Sequence, residues 1–225
     1  MKKRSNYIII SVIILALSVC FIDAIIKPNY IIKSIIKIIF YLLIPTIYFI
    51  INKDELKDFK SLFIPTKKDI LKTTILSVSI YLLFVLGYFL VRNFIDFSNI
   101  TTNLTNNMGI DKNNFIFVTL YISFINSFLE EFFYRGYAFI TLKKHINKKT
   151  AYIFSSSIFT IYHIGMLTDF FKFPEIILMI IGLFIGGCIF NYLNEKTNNI
   201  YPSWIVHMFT NFGINTIGFI LFGII

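Results

Sequence analysis

Long apolar segments separated by short polar ones make up the chain. Seven of them are long enough to cross a hydrocarbon core of ~30 Å as helices. They are Tyr7–Ile26, Tyr30–Ile51, Ile70–Val91, Phe115–Leu142, Ala151–Leu167, Glu175–Leu193 and Pro202–Ile225. The pattern predicts an all-α fold, a polytopic transmembrane bundle of about seven to eight helices, with residues 1–225 forming a single integral membrane domain.

The polar segments predict how these spans are connected. Residues 52–69 mix lysines with aspartates and glutamates, and predict a cytoplasmic linker with an interfacial helix and a solvated charged face. Residues 92–114 are rich in asparagine and threonine and predict an irregular polar loop. Lys33 and Lys37 lie near the start of the second span, where their long side chains are expected to reach an interface.

The composition agrees with a membrane protein. Only 15% of the residues are charged and 56% are hydrophobic, whereas soluble domains carry about 25% charged residues. The net charge of +9 could indicate nucleic-acid binding, but the basic residues occur in short clusters between apolar segments. We therefore expect a lipid bilayer as partner and no nucleic acid. Cys20 and Cys188 lie in apolar segments without CxxC spacing, which indicates buried, inert thiols.

The basic clusters also predict an orientation. Residues 2–4, 52–69 and 143–149 fall on one side of the membrane if the N-terminus is cytoplasmic, and the poorly basic loops 92–114 and 168–174 fall on the other. The expected location is the cell membrane, with several crossings. The first apolar segment has no clean cleavage site and is interpreted as a spanning helix, not as a signal peptide.

The sequence EEFFYR at 130–135 interrupts the fourth span with three charges. Each charge costs about 2.5–3.5 kcal/mol at the centre of a membrane helix on insertion scales, so the cluster needs an explanation. Glu131 and Arg135 are four residues apart and are expected to pair on one face. Glu130 lacks that partner and is a candidate general base. The alternative is an ion network that only packs helices.

Two later spans carry the other candidate groups. Phe159 precedes His163 by one turn in the fifth span, and His207 precedes Asn211 by one turn in the seventh. Each pair alone is typical of helix packing. Glu130 and His163 both lie about 12 residues from the predicted cytoplasmic helix ends, ~18 Å deep at 1.5 Å per residue, so one shared site is geometrically allowed.

Together these groups would suit amide hydrolysis. A carboxylate would take a proton from water, an imidazole would position that water, and the pair of His207 and Asn211 would stabilise an oxyanion. The HExxH zinc signature is absent. Zinc bound by Glu130, His163 and His207 remains the chemical alternative.

The three patterns EExxxR, FxxxH and HxxxN, in this order on separate spans, resemble the CPBP (CAAX protease and bacteriocin-processing, Abi) family of intramembrane proteases. That family includes type II CAAX prenyl endopeptidases and bacteriocin-processing or immunity proteins. The resemblance covers about residues 115–215, as a catalytic core. It implies an endopeptidase whose site opens toward the cytoplasm. The family has been labelled both metalloprotease and glutamate-dependent, and we expect no obligatory metal here.

The resemblance also implies a role for each matching residue. Glu130 would activate the water together with His163, His207 and Asn211 would form the oxyanion site, and Glu131 and Arg135 would support them. The expected substrate is a peptide precursor or a membrane-protein tail, in a bacterium whose asparagine, lysine and isoleucine usage suggests an AT-rich genome. The alternatives are a non-catalytic immunity or scaffold protein and a small transporter. The transporter is disfavoured because the chain lacks paired broken helices.

Overall fold

A computed structural model describes residues 2–65, 67–168 and 170–225, with side chains described for all of these except 67–69. All regular structure in these residues is helical, which confirms the all-α prediction. The helices are α1 Lys2–Ile26, α2 Tyr30–Ile51, α3 Leu56–Ser61, α4 Lys67–Val91, α5 Ser98–Met108, α6 Phe115–Lys144, α7 Lys148–Leu167, α8 Phe173–Thr197 and α9 Tyr201–Leu221.

Six helices within the described residues are long and apolar enough to cross a membrane, and the chain is a multi-pass membrane protein. They are α1, α2, α4, α6, α8 and α9. The predicted fifth span corresponds to α7, a 20-residue helix that is not among the six. Its buried residues include Ser155, Ser156, Thr160 and His163. Because α7 packs against α1, α6 and α8, these polar groups face protein and not lipid.

Helix α6 is the centre of the bundle. Every residue from 129 to 142 is buried, as expected for a helix that is surrounded by other helices. Its Glu131–Thr141 part is a wide π-helix. Two hydroxyl groups bind backbone oxygens there: Ser155 on α7 donates to Tyr134 O at 2.8 Å, and Thr141 donates to Gly136 O at 2.9 Å. The first bond fixes α7 against the middle of α6.

Helix α9 lies against α4 and against the first half of α6. Trp204 Nε1 donates to Phe124 O at 3.1 Å, and Asn215 Nδ2 donates to Ser123 Oγ at 3.3 Å. Hydrogen bonds of this kind between membrane helices are worth about 0.6 kcal/mol on average. These two hydrogen bonds lie before and after His207 in α9. They fix the rotation of the helix about its axis, so that His207 faces α6.

The segment 92–114 contains α5 and is not the irregular loop that its polarity predicted. Asp96 accepts hydrogen bonds from the backbone N–H and the hydroxyl of Ser98 at 3.0 and 2.6 Å, which satisfies the first free N–H of the helix. These bonds also hold the pKa of the Asp96 carboxyl below its usual value. Gly109 closes the helix with a φ of 67°, in the left-handed region.

The predicted linker at 52–69 contains α3, but its charges are not all solvated. Asp54 keeps 62% of its side chain exposed, whereas only 7% of the Glu55 side chain is exposed. Glu55 Oε1 lies 3.2 Å from Arg4 Nη1, 3.1 Å from Tyr48 OH and 3.1 Å from His145 Nε2. A buried carboxylate needs such donors, so Glu55 ties the linker to α1, α2 and the loop after α6.

Thr66 and the side chains of Lys67, Lys68 and Asp69 in the predicted linker, Asp169 in the predicted loop 168–174, and Met1 lie outside the described residues.

We predict that Gly165→Ala destabilises the bundle. A Cβ atom at Gly165 on α7 would stand 2.6 Å from the backbone oxygen of Cys20 on α1, so the two helices would have to separate. Overpacking of this kind costs about 1–3 kcal/mol. Thermal unfolding of the purified protein should therefore begin at a lower temperature. The matched control is Gly182→Ala in α8, where nothing lies within 4 Å of the added atom. Equal unfolding temperatures would contradict the close approach.

Candidate active site

Three helices bring the predicted carboxylate and the two predicted histidines together. Glu130 on α6, His163 on α7 and His207 on α9 are all buried. The Nε2 atom of His163 lies 3.8 Å from Glu130 Oε2, and the Nε2 atom of His207 lies 3.9 Å from the same oxygen. Residues separated by up to 77 positions in the sequence therefore meet at one point, as the spacing of the motifs had suggested.

The hydrogen bond to Phe159 determines which nitrogen of His163 is protonated. Its Nδ1 atom lies 2.7 Å from the backbone oxygen of Phe159, one turn earlier on α7. A carbonyl oxygen only accepts hydrogen bonds, so Nδ1 must carry the hydrogen. In the neutral ring the lone pair is then on Nε2, the atom that faces Glu130. The spacing of the FxxxH motif is explained by this bond.

Glu131 connects Arg135 to His207. Its Oε1 atom lies 2.8 Å from His207 Nδ1 and 3.4 Å from Arg135 Nη1. The side chains of Glu131 and Arg135 are fully buried. The expected contact between Glu131 and Arg135 is thus present. The guanidinium of Arg135 also stacks against the rings of Phe159 and Phe190, at 4.0 and 4.9 Å from their centroids. Phe159 therefore orients His163 through its carbonyl and covers Arg135 with its ring.

Asn211 differs from the arrangement that the sequence suggested. Its side-chain amide donates to the backbone oxygen of Ile122 on α6 at 3.2 Å, which is an interhelical packing bond. An amide nitrogen has two hydrogens, so a second donor is still available for another group. Asn211 is therefore a structural link between α9 and α6 in this structure, and a role toward an oxyanion depends on its second N–H.

Glu130 has three polar neighbours that the sequence interpretation missed. Its Oε1 atom lies 2.9 Å from Asn126 Nδ2, 3.0 Å from Tyr162 OH and 3.4 Å from Lys37 Nζ. Asn126 was detectable, since it precedes Glu130 by four residues and so shares its face of the helix. Tyr162 is adjacent to His163 in sequence and could have been considered with it.

The predicted interfacial position of Lys33 and Lys37 is wrong. Lys37 has only 12% of its side chain exposed and points inward to Glu130. Lys33, one turn earlier, has 10% exposed and pairs with Asp23 of α1 at 3.2 Å. Both carboxylates are buried, and an inward ammonium group offsets a charge that would otherwise be unpaired inside the bundle. This pairing explains why the lysines do not extend to the surface.

The arrangement does not fit a zinc ion held by Glu130, His163 and His207. Within the described residues, no three histidine, cysteine, aspartate or glutamate side chains are grouped as metal ligands. The ammonium of Lys37 lies 3.4 Å from Glu130 Oε1 and supplies positive charge to the carboxylate that would have to bind the ion. The expectation that no metal is required stays a prediction.

The comparisons with known proteins give one family. The family model described as "Type II CAAX prenyl endopeptidase Rce1-like" matches residues 112–213, which include all three motifs. This match confirms the CPBP resemblance recognised from the motifs, and at the family level it indicates a CAAX-type membrane protease. Residues 1–111, which contain α1 to α5, lie outside the match. No curated protein and no solved structure matches the chain.

We predict that Arg135→Leu strongly destabilises the protein. The substitution leaves the Glu131 carboxylate buried beside a leucine, and breaking one partner of a buried ion pair costs about 3–5 kcal/mol. Thermal unfolding in detergent would detect the loss. Arg92→Leu is the control, because Arg92 is exposed at the end of α4 and surface substitutions usually change stability by less than about 0.5 kcal/mol. Similar unfolding curves for both variants would mean that Arg135 does not stabilise Glu131.

Proposed function

From the family match of residues 112–213, we propose that this membrane protease is an intramembrane endopeptidase that uses a water molecule activated by Glu130 and His163. The observation that carries the proposal is the pair of acceptors Glu130 Oε2 and His163 Nε2, which face each other at 3.8 Å. That separation is too long for a direct hydrogen bond, and one water molecule is proposed to bridge the two acceptors.

The protonation pattern makes the orientation of this water specific. Glu130 Oε2 and His163 Nε2 both offer lone pairs, so the water donates one hydrogen to each of them. Its own lone pairs then point away from both groups and toward a bound substrate. The two fixed acceptors thus hold the water in one orientation before the reaction begins. The entropy cost of orienting it is then paid on binding and does not add to the reaction barrier.

In the proposed reaction the water oxygen forms a bond to the carbonyl carbon, and its proton passes to Glu130 Oε2. The carbonyl oxygen becomes an oxyanion, which the second N–H of Asn211 would bind beside His207. Glu131, at 2.8 Å from His207 Nδ1, holds that imidazole in place. The carbon–nitrogen bond then breaks, and the proton moves from Glu130 to the leaving amine.

The proposed substrate is a peptide or the tail of a membrane protein, cut near the cytoplasmic face of the cell membrane. The basic clusters at 2–4, 52–69 and 143–149 support a cytoplasmic N-terminus. With that orientation, α6 ends and α7 begins on the cytoplasmic side. The site then lies between helices at a depth that a short extended peptide can reach from that side.

A non-catalytic immunity or scaffold protein is the second candidate. Its support is the number of packing bonds within the same cluster, since Glu130, His163 and Asn211 each have at least one protein partner. A packing network and a catalytic site differ in one respect. Isosteric substitution in a packing network reduces stability, whereas at a catalytic site it reduces turnover and changes stability little.

We predict that Glu130→Gln and His163→Gln abolish peptide cleavage. Glutamine keeps the volume and hydrogen bonding of glutamate but does not take a proton at neutral pH, so loss of the base should reduce the rate by about 10²–10⁴-fold. Glutamine is preferable to alanine because Glu130 has three donors that alanine would leave unpaired. Quantitative mass spectrometry of membrane peptides, with wild-type chain or Glu130→Gln, would measure cleavage and identify the substrate.

The control for this experiment is Glu195→Gln in α8. Glu195 binds Lys143, Lys148 and Tyr152 away from the proposed site, so its substitution should preserve cleavage. Undiminished cleavage by Glu130→Gln would overturn the proposed function. If Glu130→Gln and His163→Gln both fail to fold, and wild-type membranes contain no cleavage product, the result would favour the non-catalytic scaffold protein.

We predict that metal chelation does not reduce cleavage. The ammonium of Lys37 balances the charge of Glu130, and Asn126 and Tyr162 are the other two donors to its Oε1 atom, so the proposed base does not depend on a divalent cation. Purified protein treated with a zinc chelator and then dialysed should cleave the identified peptide at its original rate. Loss of activity on chelation, followed by recovery on addition of zinc, would contradict this expectation.

A further inference from the structure

The two oxygens of the Glu130 carboxylate have different surroundings. Oε1 has three donors within 3.4 Å, from Asn126, Tyr162 and Lys37. Oε2 faces the Nε2 atoms of His163 and His207, at 3.8 and 3.9 Å. A carboxylate oxygen has two lone pairs, so three donors occupy the accepting capacity of Oε1. Only Oε2 is left with a lone pair that can take a proton from water.

Lys37 also contacts the other two donors. Lys37 Nζ donates to Asn126 Oδ1 at 3.0 Å and lies 5.0 Å from the centroid of the Tyr162 ring. We name Lys37, Asn126 and Tyr162 the Oε1 clamp. Its members come from α2, α6 and α7, and Lys37 joins the other two. Rotation of the carboxylate about its last side-chain bond would break three interactions at once, so its orientation is fixed.

Lys37 differs from the other two members of the clamp in carrying a charge. The buried cluster contains two carboxylates, Glu130 and Glu131, and Arg135 balances only one of them. Lys37 supplies the second positive charge, at 3.4 Å from Glu130. It reaches the site from α2, in the part of the chain that lies outside the family match.

We propose that Lys37 is a positioning residue of the hydrolysis, which acts with Asn126 and Tyr162 on one oxygen of Glu130 so that the other oxygen faces the water and both histidines. This inference rests on the proposed function. The N-terminal helices are then part of the active site as well as of the scaffold. Lys37 does not touch the substrate in this scheme, and its whole effect passes through the orientation and charge of Glu130.

The test is the steady-state kinetics of Lys37→Met, measured with the purified full-length chain in proteoliposomes. Two probes are used, a fluorogenic CAAX-type peptide carrying a farnesyl group and the same peptide without it. We expect kcat to fall by about 10²-fold, the usual effect of misplacing a catalytic group by ~1 Å, with KM unchanged. Lys37→Arg should recover part of the loss, because it keeps the positive charge.

Lys33→Met is the matched control. Lys33 lies on the same helix, is buried to the same extent and pairs with the buried Asp23, so its loss damages the fold in a similar way. It should lower the unfolding temperature as Lys37→Met does and preserve kcat. Asn126→Leu tests the clamp without changing its charge, and should reduce kcat with KM unchanged even if Lys37→Met does not fold.

The outcomes separate this inference from the proposed function. Wild-type kcat in Lys37→Met and Asn126→Leu, with inactive Glu130→Gln, would overturn the inference and leave the function intact. Equal losses of kcat in Lys33→Met and Lys37→Met would also overturn it, since general damage would then explain both. Equal turnover by wild type and Glu130→Gln would overturn the proposed function and, with it, the role of Lys37.

Discussion

The balance of charge inside the bundle is the constraint on which the rest of this structure depends. Glu130 and Glu131 are adjacent and buried, and Lys37 and Arg135 are the positive groups that contact them. Moving an ion from water to a protein interior costs several kcal/mol even after relaxation, and only close pairing offsets that cost. The cluster holds together because each carboxylate has its own cation, one from the same helix and one from α2.

This constraint accounts for the position of the central helix. The charged side chains of α6 need partners on several faces of the helix, so other helices must surround it there. Residues 129–142 of α6 are all buried in this way. The π-helical part after Glu130 widens the helix where it carries Glu131 and Arg135, and such segments are frequent at functional sites. The polar side of α7 is buried for the same reason, since it supplies Tyr162, His163 and the Ser155 bond to α6. The contacts that pack α7 against α6 therefore also position the side chains of the candidate site.

The sequence was sufficient to predict the helices and the contacts between residues one helical turn apart. Apolar runs predicted the helices, and intervals of four residues predicted the contact between Glu131 and Arg135. The interval in FxxxH corresponds to a bond between His163 and the carbonyl of Phe159. Contacts between distant helices were not predictable in the same way. Lys37 and Glu130 are separated by 93 residues, and nothing in the local pattern distinguishes a lysine that turns inward from one that reaches a surface.

The remaining differences have identifiable physical causes. Helix α5 forms in a segment of poor helix propensity, where Asp96 accepts from the first N–H of the helix and Gly109 closes its end. Glu55 is buried although Asp54 beside it is exposed, because Arg4 and His145 reach it from distant parts of the chain and Tyr48 from seven residues earlier. Helix α7 is less apolar than the other long helices because it faces protein. For Glu55 and α7, tertiary contacts supply what the composition of the segment lacks.

The same constraint bears on how a carboxylate can act as a base inside a membrane. A buried carboxyl group avoids the cost of its charge either by holding a proton or by pairing with a cation. A protonated group cannot accept a proton from water, so only the second solution leaves a base. The contact with Lys37 provides that solution, and by engaging Oε1 it leaves Oε2 directed to His163. The contact with Lys37 that stabilises the buried Glu130 carboxylate therefore also leaves this carboxylate able to accept a proton.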